Sequence, residues 1–87
     1  MALTKITPIE ARVRWDLRLA RPISVAWGDH LVHVVGLSAV RDERSAYPAD
    51  RGPRVTYLLQ TDDGGQAAVA FDGRRGRWFV EALDRAA

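Results

Sequence analysis

The stretch Ile9–Ala20, IEARVRWDLRLA, is compatible with two different structures, and the fold follows from which one it takes. Around its start, Thr7 sits where an N-cap belongs, Pro8 occupies the favoured first helical position, and Glu10 completes a capping box. The apolar pattern contradicts that signature. At about 100° per residue, Ile9, Val13 and Leu17 fall near one direction while Ala11, Trp15 and Leu19 fall roughly 160° away, so a helix has no single face to bury. At two residues per repeat the conflict disappears: Ile9, Ala11, Val13, Trp15, Leu17 and Leu19 share one side, and Glu10, Arg12, Arg14, Asp16 and Arg18 the other. A strand is predicted, ending near Asp16 or Leu17, with residues 1–8 as a flexible lead.

Working outward, Pro22 cannot donate a ladder hydrogen bond and suits the start of a strand, which predicts a second strand over Ile23–Trp27. Gly28-Asp29 follows, a two-residue loop with glycine first, as a type II′ hairpin requires. Closing on that loop pairs Trp27 with His30, Val25 with Val32 and Ile23 with Val34. Both faces of this hairpin carry apolar residues, as expected where a strongly bent sheet encloses part of each surface.

From Ser38 to Arg54, SAVRDERSAYPADRGPR, the periodicity is lost, and the segment is predicted to be a long loop, either functional or mobile. Alternation resumes in RVTYLLQT, turns at DDGG and returns in QAAVAF, a second hairpin. A further turn, DGRRG, leads into RWFVEAL, where a strand is favoured over a short terminal helix. The whole is predicted to be all-β, a single small domain over residues 1–87 with five or six antiparallel strands. Such a chain manages its sheet edges by curling into an SH3-like or OB-like open barrel or twisted half-barrel.

Composition narrows the chemistry. There is no cysteine, which excludes disulfides, thiolate metal sites and a cysteine nucleophile. The N-terminus lacks the apolar core of a secretory signal and no run is long enough to cross a bilayer as a helix, so a cytoplasmic location away from membranes is expected. The net charge is only +2, but twelve of the thirteen basic residues are arginine, the side chain whose planar fork binds phosphate bidentately. GC-rich coding also writes arginine freely. The basic excess lies at the two ends of the chain: residues 1–28 hold five basic and two acidic groups, residues 29–66 four and six, and residues 67–87 four and three.

Two segments carry a resemblance: Arg21–Leu37, RPISVAWGDHLVHVVGL, and Tyr57–Asp84, YLLQTDDGGQAAVAFDGRRGRWFVEALD. An Arg-Pro entry (Arg21-Pro22) leads to Val25 and Trp27, a turn at Gly28 and a return at Val32 and Val34. Phe71-Asp72, Gly76, Trp78 and a closing Asp84 then follow. In this pattern the chain resembles a bacterial family of uncharacterised small β domains, found alone or appended to proteins similar to Y-family translesion polymerases. The resemblance implies a setting in genome maintenance.

Candidate functional residues fall in two places. In DGRRGRWF, Arg74, Arg75 and Arg77 stand beside Trp78 and Phe79 on a glycine-flanked turn, and arginine with an exposed aromatic is how single-stranded nucleic acid is held. The competing outcome is a solvated turn with Trp78 in the core. On the first strand, Arg12 and Arg14 project from one face about 7 Å apart, with Arg18 further along if the strand persists, a stripe interrupted by Glu10 and Asp16. His30 and His33, three apart on a strand, point to opposite faces and cannot chelate, and no acid, base and nucleophile assemble into a catalytic motif.

The function expected is that of a non-enzymatic accessory domain, without cofactor or metal, that assists DNA repair or replication by weak nucleic-acid binding. Its expected partners are single-stranded or damaged DNA and a DNA-processing protein. The alternative is a protein-interaction module or homodimer acting as an adaptor, using an exposed strand edge or the long loop.

Overall fold

The structure, a computed structural model, describes residues 3–42 and 54–84. Six strands are present: β1 (Thr4–Asp16), β2 (Arg21–Trp27), β3 (His30–Asp42), β4 (Arg54–Thr61), β5 (Gln66–Asp72) and β6 (Arg77–Asp84). All pairings are antiparallel and each neighbour in the sheet is a neighbour in the chain, until β1 pairs with β6 and closes the barrel. Closure goes beyond the open or half-barrel expected from sequence, and it removes most free sheet edge at once.

β1 and β3 are the long strands, and each serves two partners in turn. β1 pairs with β6 as far as Ala11 and with β2 from Arg12, while β3 pairs with β2 as far as His33 and with β4 from Val34. Such a strand must bend, and the register shifts mark where. Against β6, β1 gains extra residues between Lys5 and Ile9, a bulge that accommodates Pro8 and its missing N–H. On β3, Val35 is extra between Val34 and Gly36. A Cβ on Gly36 would lie 2.6 Å from Oε1 of Gln60 on β4, so a glycine marks this corner. The turn between β4 and β5 then clamps the bend. Asp62 donates its N–H to the His33 carbonyl (2.9 Å), and its carboxylate accepts the His33 N–H (3.1 Å).

The period-two reading of Ile9–Ala20 holds as far as Asp16, and β6 is a strand rather than a terminal helix. The hairpin at Gly28-Asp29 has the predicted register, Trp27 opposite His30 and Val25 opposite Val32. Gly28 has φ 55° while Asp29 lies outside the positive-φ region, the type II′ arrangement. Two expectations need correction. Residues 4–8, expected as a flexible lead, are the first part of β1, and residues 38–42 and Arg54, assigned to the loop, are strand. The remainder of that loop, 43–53, lies outside the described residues.

Inside the barrel, Val25, Leu59, Val69 and Val80 are fully buried, with Ala11, Trp27, Val32, Val34 and Ala67 around them. Above this layer, at the end where β1, β3 and β5 finish, four rings close the core, one each from β1, β4, β5 and β6. Trp78 lies 4.9 Å from Phe71, 5.6 Å from Tyr57 and 6.1 Å from Trp15, and Trp15 meets Tyr57 edge-on at 5.7 Å.

Candidate nucleic-acid interface

The seam that closes the barrel also assembles the arginines. Because Glu10 pairs with Phe79 and Ala11 with Trp78, the next outward-facing residue of β1, Arg12, arrives beside Arg77 at the start of β6. Arg14 follows on the same outer face, opposite Ser24 of β2, and the turn at residues 73–76, which carries Arg74 and Arg75, leads directly into Arg77. Two groups of arginines that are far apart in sequence thus share one face.

The turn is held by its own aspartate. Asp72 Oδ1 accepts the N–H groups of Arg74 (3.0 Å) and Arg75 (3.2 Å), and the Asp72 carbonyl accepts the N–H of Gly76 (2.8 Å). With its carboxylate so occupied, Asp72 lies 3.8 Å from Arg75 Nε, a loose contact. Glu10 is also engaged, accepting a hydrogen bond from Arg77 Nη1 at 3.0 Å. Glu10 and Asp72 therefore have assignments, whereas Arg12, Arg14 and Arg74 are exposed and their guanidinium groups have no acidic partner among the described residues. The face is cationic through these three, with Arg75 and Arg77 partly neutralised.

Trp78 does not join them. It faces into the barrel opposite Ala11 and is half-buried in the ring cluster, the competing outcome that its size favoured. The aromatic on the arginine face is its neighbour Phe79, half-buried and turned outward across from Glu10. Phe79 lines a shallow hollow of about 260 Å³ with Pro8, Asp72, Arg75 and the ion-paired Arg54 and Glu81. The alternation in RWFV carried this signal: if Trp78 and Val80 face the core, Phe79 between them cannot. Arg18 does not extend the stripe, because β1 ends at Asp16, whose carboxylate accepts the N–H groups of Arg18 and Leu19 and starts the turn.

Asp72→Ala removes two charge-assisted hydrogen bonds from the turn and one negative charge from the arginine face. It is expected to lower stability by about 1 kcal/mol, read as a shift in the urea midpoint, while nucleic-acid affinity at low salt stays level or rises. An unchanged midpoint would show that the turn does not depend on its aspartate.

Comparison with known proteins yields no match to a family model, to a curated protein or to a solved structure.

Proposed function

We propose that this barrel is a non-enzymatic accessory domain that binds nucleic acid weakly along the β1–β6 seam, through Arg12, Arg14, Arg74, Arg75 and Arg77. One observation carries the proposal: barrel closure places cations from both halves of the chain on one face, where the neighbouring acids are already engaged. The guanidinium group stays protonated in proteins, so such a face binds anions and does not transfer protons. With Trp78 turned inward, the contacts it supports are to the phosphate backbone, which favours binding without sequence preference. The resemblance to domains appended to polymerase-like proteins supports single-stranded or damaged DNA as the target, at a DNA-processing partner.

Titration of a labelled single-stranded oligonucleotide, followed by anisotropy over a series of salt concentrations, tests this. Affinity should fall with salt at a log–log slope of about −0.7 per phosphate contacted. Arg12→Ala/Arg14→Ala and Arg74→Ala/Arg75→Ala should each flatten that slope by about one to two. Salt-independent binding, or variants indistinguishable from the parent, would remove the site.

A further inference from the structure

The arginine face continues past the seam onto β2 and β3. Cross-strand pairing lines up two rows: Arg12 of β1 faces Ala26 of β2, which faces Leu31 of β3, and Arg14 faces Ser24, which faces His33. Residues directly opposite share a face, so all six point outward. Neighbouring strands are about 4.8 Å apart, which sets Leu31 and His33 about 10 Å from the arginines of their rows, with only small side chains between. β2 is thus the floor of a trough with a cationic wall on β1 and an apolar and aromatic wall on β3. The β3 wall stands in solvent: Leu31 is 61% exposed, and His33 is exposed beside it. Ser24 is only 6% exposed, the depth expected of a small residue between two long ones. At the Ala26 end the trough opens into a hollow of about 230 Å³ lined by Glu10, Arg12, Ala26 and Gly28, where a Cβ on Gly28 would meet no atom within 4 Å. Among the acids that flank these rows, Glu10 is held by Arg77, Asp16 by the N–H groups of its own turn and Asp62 by the His33 N–H. That leaves Asp29 of the hairpin turn against the two arginines.

We propose that this trough seats the bases of a single strand whose phosphates lie on Arg12 and Arg14, with one base against Leu31 and Ala26 and the next on the His33 ring. The inference rests on the nucleic-acid reading given above and adds what phosphate contacts alone do not supply, a surface for unpaired bases. Trp78 withholds its ring from the arginines, and His33 returns an aromatic to their face from the far side of β2. Imidazole is among the rings on which bases stack, and apolar side chains cover the rest of a base's face. Stacking accepts every base, since each has a π-face, so the trough reads single-strandedness rather than sequence. Bases held in a duplex are stacked on their neighbours and are not free to lie on such a wall.

The probes are a labelled oligothymidylate of about ten nucleotides and a strand of equal length whose central sugars carry no base, so that the phosphate charge is the same. At one salt concentration the thymine strand should bind roughly tenfold tighter. The variant Leu31→Ser/His33→Ala should lose that advantage while keeping its affinity for the abasic strand and the salt slope of the parent. Arg12→Ala/Arg14→Ala should weaken both probes. Equal, salt-dependent binding of the two probes by the parent overturns the trough and leaves the arginine face standing, whereas salt-independent binding or none removes both. A Leu31→Ser/His33→Ala protein that binds the thymine strand as the parent does, or that weakens both probes alike, also overturns the trough. Both substituted positions are exposed, and a matching thermal melt verifies that the variant folds. If the melts differ, the parent decides: the chain has two histidines, and the His33 ring protons should shift on adding the thymine strand but not the abasic one. Ring protons that shift alike with both strands, or with neither, overturn the proposal.

Discussion

Replacing Trp78 with alanine should cost about 3–5 kcal/mol, enough to leave the domain close to unfolding at 25 °C. The ring stands at the crossing point of four strands, with Phe71, Tyr57 and Trp15 all within 6.1 Å of it. Each ring pair adds roughly 0.5–1.5 kcal/mol beyond the area it buries. Their simultaneous loss also leaves a void at the end of a core whose fully buried residues are mostly valines. A chain of 87 residues has a total stability on the order of 4–13 kcal/mol, so this loss is a large share of it. Urea unfolding followed by circular dichroism measures the effect, and a loss below about 1 kcal/mol would mean that the rings form a loose rim rather than a layer of the core. Trp78→Phe should recover much of the stability. In this variant, nucleic-acid affinity should match the parent, because the Trp78 ring faces away from the arginines.

The second large effect separates two adjacent leucines. Leu59→Ala removes a fully buried side chain packed opposite Leu37 and Ala67, and should cost about 2–5 kcal/mol. Leu58→Ala, one residue earlier, truncates a half-buried side chain on the outer face, opposite Ala39 and Ala68, and should cost about 1 kcal/mol or less. A one-residue slip of β4 would exchange the two faces, so the order of the two losses in urea unfolding reads the register directly. If Leu58→Ala proved the more damaging, the β3–β4 and β4–β5 pairings described above would both be wrong.

The parts of this fold that sequence made visible are those in which alternation runs unbroken. Val13 and Trp15 keep one parity, as do Tyr57 and Leu59 in β4, and Gly28 fixes a hairpin register without reference to the rest of the chain. Bulges hid the remainder. Pro8 looked like a boundary because an unbulged ladder has no place for it, and the extra residue at Ser38 separates Leu37 from Val40 by three, a spacing that breaks a period of two. A bulge near Glu81 acts similarly in β6, allowing Leu83 to pack against the core although it has the parity of the outward-facing Phe79.

The candidate site was legible as residues but not as a surface. Arg12 and Arg14 could be placed on one face from alternation alone, and Arg74 and Arg75 on a turn from the flanking glycines. Their proximity depends on the β1–β6 pairing, and no local pattern specifies which strand will close a barrel. The inward direction of Trp78 did follow from alternation with Val80, but only once the core face of β6 was known.

The ion pair between Glu10 and Arg77 spans 67 positions of the chain, and it lies on the seam that completes the barrel. Hairpins such as β2–β3 and β4–β5 can form as soon as their own residues are available, whereas the seam must wait for the sixth strand. On a ribosome, where the N-terminal end emerges first, β1 would be exposed well before β6 exists to meet it. The arginine face therefore belongs only to the completed barrel: a nascent chain that stops short of β6 carries Arg12, Arg14, Arg74 and Arg75 without the pairing that brings them together, and the nucleic-acid affinity proposed for that face would appear late in synthesis, together with closure.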